Sequence, residues 1–370
     1  MKVINVGVIG FGFMGKTHIY GYKTIPLYYS SLPFKINLIG ICANHLGNAQ
    51  NACETLGFEY ATDDMQKIIN DKRIDTINIC TPNYLHKQAL LSALDAGKNI
   101  YCDKPLTISY ADASEVAKKA KITKVITQMA LQYRFYPATL RAKQLIEQGA
   151  LGRILSFRAC YLHSGSVDPN KPIGWKQDLT QGGGGVLVDL GSHVLDLLYH
   201  LMGEVNDFTC KTQIIYEKRP DKNGKMIYIT AEDAAYMILS MKNGAMGTVE
   251  VSKIATGSND ELRLEIHGDK GAISFNLMEP DWLDFYDNSL PDKPLGGRKG
   301  YTRIECVGRY ETPGNIFPGP KFTIGWLRGH VHCLYNFLSC ISENRSASPS
   351  FEDACYIQGI IENAERKLIQ

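Results

Sequence analysis

The sequence predicts an α/β protein, with a doubly wound parallel sheet in its N-terminal part and a second, α+β domain on a mixed or antiparallel sheet. Three observations predict it. Strand-like and helical segments alternate five times over residues 1–128. A G-x-G-x-x-G turn closes the first apolar run and opens the first helix. Beyond residue 128, strand-like segments follow one another without helices between them, the habit of antiparallel or mixed sheets.

Element by element, residues 3–9 form an apolar strand ending at Gly10, and a helix runs from Met14 to Ile25. The N-terminus is apolar enough to resemble a leader, but early glycines and the lack of a small-residue cleavage site favour a strand. Lys35–Ala43 is the second strand, Ala49–Leu56 a helix, and Asp64–Asn70 a short helix opened by Thr62-Asp63. Ile74–Cys80 is a strand stopped by Thr81-Pro82-Asn83, and Leu85–Ala96 a helix stopped by Gly97. Asn99–Cys102, Ser109–Ala120 and Lys124–Gln128 complete the alternation.

The later part opens with a helix, Arg141–Gln148, and a strand, Ile154–Leu162. A Gly/Pro/Asp-rich loop, Ser164–Gly174, leads to four glycines at 182–185 and a long helix, Val186–Met202. Strands are expected at Asp207–Tyr216, Tyr228–Met241, Gly247–Lys253, Glu261–His267 and Ala272–Asn276, with residues 277–323 irregular. Gly329–Glu343 and Phe351–Leu368 read as helices. A chain of 370 residues exceeds one ordinary core, so two domains are expected, 1–128 and 129–370, with the final helix packing back on the first.

Composition excludes several classes. Apolar residues make 44% and charged residues 21%, the balance of a soluble globular chain, and the net charge of +2 comes with both signs dispersed. No basic run suits nucleic acid, and no apolar stretch reaches the ~20 residues a membrane span needs. Ten scattered cysteines form no C-x-x-C pair, so neither a metal site nor a redox motif is expected, and a reducing cytoplasm fits.

In the turn Gly10-Phe11-Gly12-Phe13-Met14-Gly15, Gly10 permits the tight bend, Gly12 lets backbone approach a pyrophosphate, and Gly15 allows close helix–strand contact. The helix N-terminus offers free N–H groups and partial positive charge to phosphates. Phe13 and Met14, within that turn, are candidate cofactor contacts. NAD-selective sites carry a carboxylate at the end of the second strand, where this chain has Ala43-Asn44-His45. Nothing there repels a 2′-phosphate and no arginine clamps one, so NAD or NADP is admitted, with a slight lean to NADP. Thr81, Pro82, Asn83 and His86 end the strand that would pass beneath the cofactor, as well as forming an ordinary Pro-containing turn.

Hydride transfer to or from an alcohol carbon needs an acid/base for the hydroxyl proton. His193 suits that role by its ordinary pKa of ~6.5. Asp189, four residues earlier, shares its helix face and can orient the imidazole or hold a substrate hydroxyl. Lys104, closing a buried strand in Asp103-Lys104-Pro105, can stabilise an alkoxide. The glycines leave room for a ligand against backbone. Asp196 and His200 repeat the same spacing seven residues later. The glycine run favours the earlier pair.

Taken in order, these motifs resemble the glucose–fructose oxidoreductase / inositol dehydrogenase / MocA family. They are Gly10-x-Gly12-x-x-Gly15, Cys80-Thr81-Pro82-Asn83-x-x-His86, Cys102-Asp103-Lys104-Pro105, Gln132-Tyr133-Arg134-Phe135-x-Pro137, Gly149-x-x-Gly152 and Gly183-Gly184-Gly185-x-x-x-Asp189-x-Gly191-x-His193-x-x-Asp196. The resemblance spans nearly the whole chain, with Asp103 where the family usually has Glu. It implies a Rossmann domain, a C-terminal domain on a large open sheet whose outer face makes a homodimer or homotetramer, and Lys104, Asp189 and His193 as the catalytic set. It also implies sugars, sugar derivatives or cyclic polyols as substrates. Asp103, Gln132 and Trp175 join the cofactor contacts on this likeness. Tyr161 and His163, with Lys104, Asp189 and His193, are the expected substrate contacts, in a loop region that also holds Ser164, Asp168 and Lys176. For Arg134, a structural and a site role stand level.

The expected reaction is NAD(P)-dependent hydride transfer at a secondary alcohol or ketone, with His193 as acid/base and Lys104 as electrostatic partner. Two alternatives remain open. One is a cofactor-retaining non-redox sugar lyase or hydrolase, or a dihydrodiol-type dehydrogenase. The other is a dinucleotide-sensing regulator, which intact Lys104, Asp189 and His193 argue against.

Overall fold

The computed structural model describes residues 1–366. They divide into two compact units. Unit 1 comprises Met1–Gln132, Glu311–Phe317 and Trp326–Gly359. Unit 2 comprises Tyr133–Tyr310, Pro318–Gly325 and the segment from Ile360.

Unit 1 is built on six strands: β1 (Lys2–Ile9), β2 (Phe34–Cys42), β3 (Tyr60–Thr62), β4 (Thr76–Ile79), β5 (Asn99–Cys102) and β6 (Thr127–Met129). All neighbours pair parallel in the order β3-β2-β1-β4-β5-β6. The crossovers carry α1 (Phe13–Tyr28), α2 (Leu46–Leu56), α3 (Met65–Asn70), α4 (His86–Asp95) and α5 (Tyr110–Thr123). β4 is buried along its whole length, as a strand covered on both faces must be. Ile77, Ile79, Leu90, Ile100 and Val116 pack into one apolar cluster. The expected doubly wound sheet is present. β3, three residues long, is too short to leave a periodic signal.

Unit 2 opens with α6 (Pro137–Glu147) and β7 (Ile154–Leu162). A 3₁₀ turn at Trp175–Gln177 and a short α7 (Leu179–Gly182) precede a π-helical turn, Leu187–Gly191, that runs into α8 (Ser192–Met202). The long helix expected from Val186 is therefore wound wider at its start. Ser192 Oγ donates to the Val188 carbonyl at 2.7 Å, a side-chain bond within this widened turn. The strands are β8 (Val205–Gln213), β9 (Lys218–Pro220), β10 (Met226–Tyr228), β11 (Ala234–Met241), β12 (Met246–Ser252), β13 (Glu261–Gly268), β14 (Gly271–Asn276), β15 (Trp282–Asp287) and β16 (Tyr301–Glu305). Seven of them join β7 in an eight-stranded mixed sheet, β16-β15-β14-β13-β7-β12-β11-β8, in which only β7 and β12 run parallel. β9 and β10 pair apart as a hairpin.

Two expectations in unit 2 are corrected. The single strand Tyr228–Met241 is interrupted, because Glu232 and Asp233 turn their carboxylates to other segments. Residues 277–323 are not wholly irregular, since β15 and β16 extend the sheet there. Among the described residues the last helices are α9 (Trp326–Glu343) and α10 (Phe351–Arg366). The expected continuation of the latter through Lys367 and Leu368 lies outside the described residues. α9 belongs to unit 1 and lies against α1, where a Cβ on Gly21 would meet Leu334 Cδ2 at 2.9 Å.

Candidate functional site

The glycine turn of unit 1 has the geometry a dinucleotide requires. Gly10 sits at φ +106°, and a Cβ there would lie 2.5 Å from the Cys80 carbonyl oxygen, so β1 and β4 close together only around glycine. A Cβ on Gly15 would collide with the Gly10 carbonyl, the contact that seats α1 against its strand. At Gly12 a Cβ would meet nothing within 4 Å. No side chain caps the start of α1, and Phe13 is 72% exposed beside it, with Met14 half-buried. Uncapped N–H groups at the positive end of a 16-residue helix suit a pyrophosphate. Thr81 Oγ1 and Gln132 Oε1 are buried with no protein partner among the described residues, and each can bond a polar ligand. These residues fit a bound dinucleotide.

At the end of β2, Ala43 is buried while Asn44 and His45 are exposed, with no carboxylate among them. The nearby acids, Asp63 and Asp64, follow β3 instead. Burial first, then the fields of Asp64 and Asp63, pushes the Cys42 thiol up to about 11. Asp64 also caps α3 through the Gln66 N–H at 2.8 Å.

Lys104 follows β5 and is half-buried, its N–H donating to Asp103 Oδ1 at 2.9 Å. His86 is wholly buried. Its Nδ1 faces the Pro105 carbonyl at 2.8 Å and its Nε2 the Thr81 carbonyl at 2.9 Å. The ring thus fastens the turn after β4 to the turn that carries Lys104. Pro82 and buried Asn83 belong to the same turn.

In unit 2 the space beside Gly185, the last of the four glycines, is already filled. A Cβ on Gly185 would lie 2.5 Å from the Glu232 backbone N and close against its carboxylate. Glu232 accepts the Gly185 N–H at 3.0 Å and the Leu187 N–H at 2.9 Å, and its carbonyl accepts the Val186 N–H at 3.0 Å. Burial raises its carboxyl pKa, with those N–H groups opposing. The turn carrying Asp189 and His193 is thereby pinned to the segment before β11.

Asp189 is held by two ammonium groups: Lys176 Nζ at 2.7 Å from Oδ1 and Lys253 Nζ at 3.0 Å from Oδ2. Its charge is matched by these lysines, so orientation of His193 is not the only work open to it. Lys176 also lies over the Trp175 ring, 5.8 Å from the centroid. The His193 ring, only 8% exposed, stands edge-on to Tyr133 at 4.9 Å and to Tyr161 at 6.0 Å between centroids. The two tyrosine hydroxyls are 2.5 Å apart. Asp260 Oδ1 accepts the Tyr161 hydroxyl at 2.5 Å and His163 Nε2 at 2.9 Å. The loop beside this cluster is anchored by buried Arg219, which donates to the Asp168 carbonyl at 2.6 Å and to that of Ser166.

Arg134 is a clamp. It pairs two-pronged with Asp196, Nε to Oδ2 at 2.8 Å and Nη2 to Oδ1, both side chains buried, and this favours the structural of its two readings. Asp196 is thus committed, and burial together with the nearby cations Arg134 and Lys143 lowers His200 to about 3. A ring so far from its ordinary value is a poor proton carrier near neutrality, which favours the earlier pair.

Asp260, Lys253, Glu232 and Tyr133 were not anticipated as site residues. Tyr133 stands in the motif Gln132-Tyr133-Arg134-Phe135, and the doublet Glu232-Asp233 heads the apolar strand β11; Asp260 and Lys253 left no comparable signal.

Among the described residues no helix is long and apolar enough to cross a membrane, and no group of three or more His, Cys, Asp or Glu is placed to hold a metal. Residues 4–131 match the profile described as "Oxidoreductase family, NAD-binding Rossmann fold", and residues 139–274 that of the "GFO/IDH/MocA C-terminal domain". The chain is 32% identical to levoglucosan dehydrogenase of Pseudarthrobacter phenanthrenivorans, over 99% of this chain and 97% of that one. It is 27% identical to myo-inositol 2-dehydrogenase of Thermotoga maritima, over 73% and 74% of the two chains. A solved structure of levoglucosan dehydrogenase in complex with NADH and levoglucosan matches with a TM-score of 0.95 at 32% identity, covering 100% of this chain and 97% of that one.

Proposed function

Because the chain belongs to the GFO/IDH/MocA oxidoreductase family, we propose that it oxidises a secondary alcohol of a sugar, sugar derivative or cyclic polyol, or reduces the matching ketone. The observation that carries this reading is the setting of His193, sheltered against two phenol rings and carried four residues after a carboxylate held by two lysines. A bound nicotinamide supplies the hydride acceptor or donor. His193 takes the hydroxyl proton in oxidation and returns it in reduction, and its 8% exposure keeps bulk water from competing. Asp189 accepts a substrate hydroxyl, its charge already balanced by Lys176 and Lys253. Lys104 stabilises the developing alkoxide. Tyr161 and His163 line the substrate side.

Thr62 pairs with Cys42 and brings Asp63 and Asp64 to the end of β2, and the matched levoglucosan dehydrogenase structure holds NADH, so NAD is the preferred carrier in place of the NADP toward which the end of β2 leaned. Levoglucosan and myo-inositol, named in the relatives, are the first substrates to try. Absorbance of the reduced nicotinamide is followed with NAD and NADP across anhydrosugars, aldoses and inositols. Turnover with NAD, at a kcat/KM at least about tenfold above that with NADP, is the expected result. Substrate consumption without net reduction replaces this reading with lyase or hydrolase chemistry, and tight binding without chemistry replaces it with a sensor.

His193→Ala and Lys104→Ala each lower kcat by about 100-fold or more with the fold retained. If the two act on one transition state, the double variant loses far less than the product of the single losses. Full multiplicativity assigns them separate roles.

A further inference from the structure

Four side chains in unit 2 form a continuous polar and aromatic cluster: His193, Tyr133, Tyr161 and His163. Asp260, immediately before β13, is its one carboxylate. Sheet register explains the meeting, since β13 pairs antiparallel with β7 and sets Leu262 opposite Tyr161. A single atom, Asp260 Oδ1, accepts both the Tyr161 hydroxyl and His163 Nε2. Tyr133 reaches the same carboxylate and the Tyr161 hydroxyl. Burial raises the Asp260 carboxyl, but hydrogen bonds from His163, Tyr161 and Tyr133 outweigh it and leave the pKa lowered. At 35% side-chain exposure the carboxylate stands at the open end of the cluster, while His193 lies at its closed end.

We propose that Asp260 is a positioning residue for hydride transfer: by holding the hydroxyls of Tyr133 and Tyr161 it fixes the two rings that set the His193 imidazole, and it orients His163 toward a hydroxyl-bearing substrate. The inference rests on the dehydrogenase reading above. Two phenols and an imidazole tied to one carboxylate lose rotamer freedom together, and a base held by rings so fixed keeps its angle to the reacting oxygen. Without the carboxylate, the rings turn and the angle is lost, although no group that touches the reacting atoms has been removed.

The test uses the full chain with NAD and whichever of levoglucosan or myo-inositol the wild type oxidises faster. Asp260→Ala is expected to lower kcat by about 30-fold while KM changes less than about threefold, with NADH affinity and melting temperature near those of the wild type. Asp260→Asn keeps an oxygen where Oδ1 stands and is expected to recover most of the loss, a rescue that bulk or packing alone does not predict. Tyr161→Phe lowers kcat as well, and adding Asp260→Ala to it costs little more, because the two act through one contact. Wild-type kcat in Asp260→Ala, or full multiplicativity with Tyr161→Phe, overturns the proposal. If Asp260→Ala does not fold, Asp260→Asn and Tyr161→Phe decide it, and less than a twofold change in Tyr161→Phe overturns it. An inactive wild type sinks the dehydrogenase reading itself, an outcome distinct from active wild type with indifferent variants.

Discussion

Two glycine-rich stretches lead into helices in this protein, one at residues 10–15 and one at residues 182–185, and they solve opposite problems. In the first, Gly12 faces open space and the start of α1 has no side-chain cap. Its backbone N–H groups and its share of the helix dipole remain available to an anion from outside. In the second, the room left by Gly185 is taken by Glu232, whose carboxylate accepts the N–H groups of Gly185 and Leu187. The chain supplies its own anion and turns a binding loop into a rigid mount. The same residue type thus prepares one helix start for a ligand and locks the other beneath Asp189 and His193.

Removing the internal anion breaks the contrast most severely. Glu232→Ala leaves two buried N–H groups unmet, which costs about 2–3 kcal/mol of stability by urea unfolding. It also lowers kcat by about tenfold or more, because Asp189 and His193 ride on that turn. Unchanged unfolding and unchanged kcat would show that the turn holds itself. Adding an anion to the other stretch is the converse experiment. Gly12→Asp meets no steric obstacle and puts a carboxylate where phosphates belong, so the NADH dissociation constant rises by about 10-fold to 100-fold with little change in melting temperature. Equal affinity in wild type and variant would sever the turn from cofactor binding.

The smallest expected effect concerns the buried histidines that both units share. Burial lowers His18 and His330 in unit 1, and burial with neighbouring Arg328 lowers His332 to about 3. His200 in unit 2 behaves likewise. The unfolded chain takes up protons at these rings below about pH 6.5 that the folded chain refuses. Their contribution to stability is therefore complete above that pH and is progressively lost as pH falls below about 6.5. The urea midpoint should be lower at pH 5 than at pH 7.5. His330→Phe, whose ring nitrogens have no partner among the described residues, should lessen that drop at little cost near neutrality. An undiminished drop would assign the acid sensitivity to the other rings.

How much could be read beforehand follows the same divide. The turn at Gly10–Gly15, the β/α alternation and the strands of unit 1 depend on neighbours along the chain, so their pattern is written locally. The setting of His193 depends on Asp260, which meets Tyr161 from 99 residues away, and Asp189 is balanced by Lys253 at the end of another strand. No periodicity announces such pairs. The four glycines at 182–185 were legible as a special turn, but the occupant of the space beside Gly185 was not, because Glu232 arrives from before β11. β15 escaped notice because Asp284 and Asp287 interrupt its apolar residues, and β16 because most of its side chains are exposed.

One feature of unit 1 bears on how the protein is made. Its core is completed by α9, where Phe337 lies 5.3 Å from Tyr101 and Gln128 Nε2 bonds the Cys333 carbonyl at 2.8 Å. A ribosome that has released only the first 132 residues has produced every strand of the parallel sheet and still lacks the helix that covers one side of it. The half that would capture the nucleotide must wait, partly bare, while the whole of the second sheet is synthesised, so its maturation is tied to translation beyond residue 340 and exposes it to chaperones meanwhile.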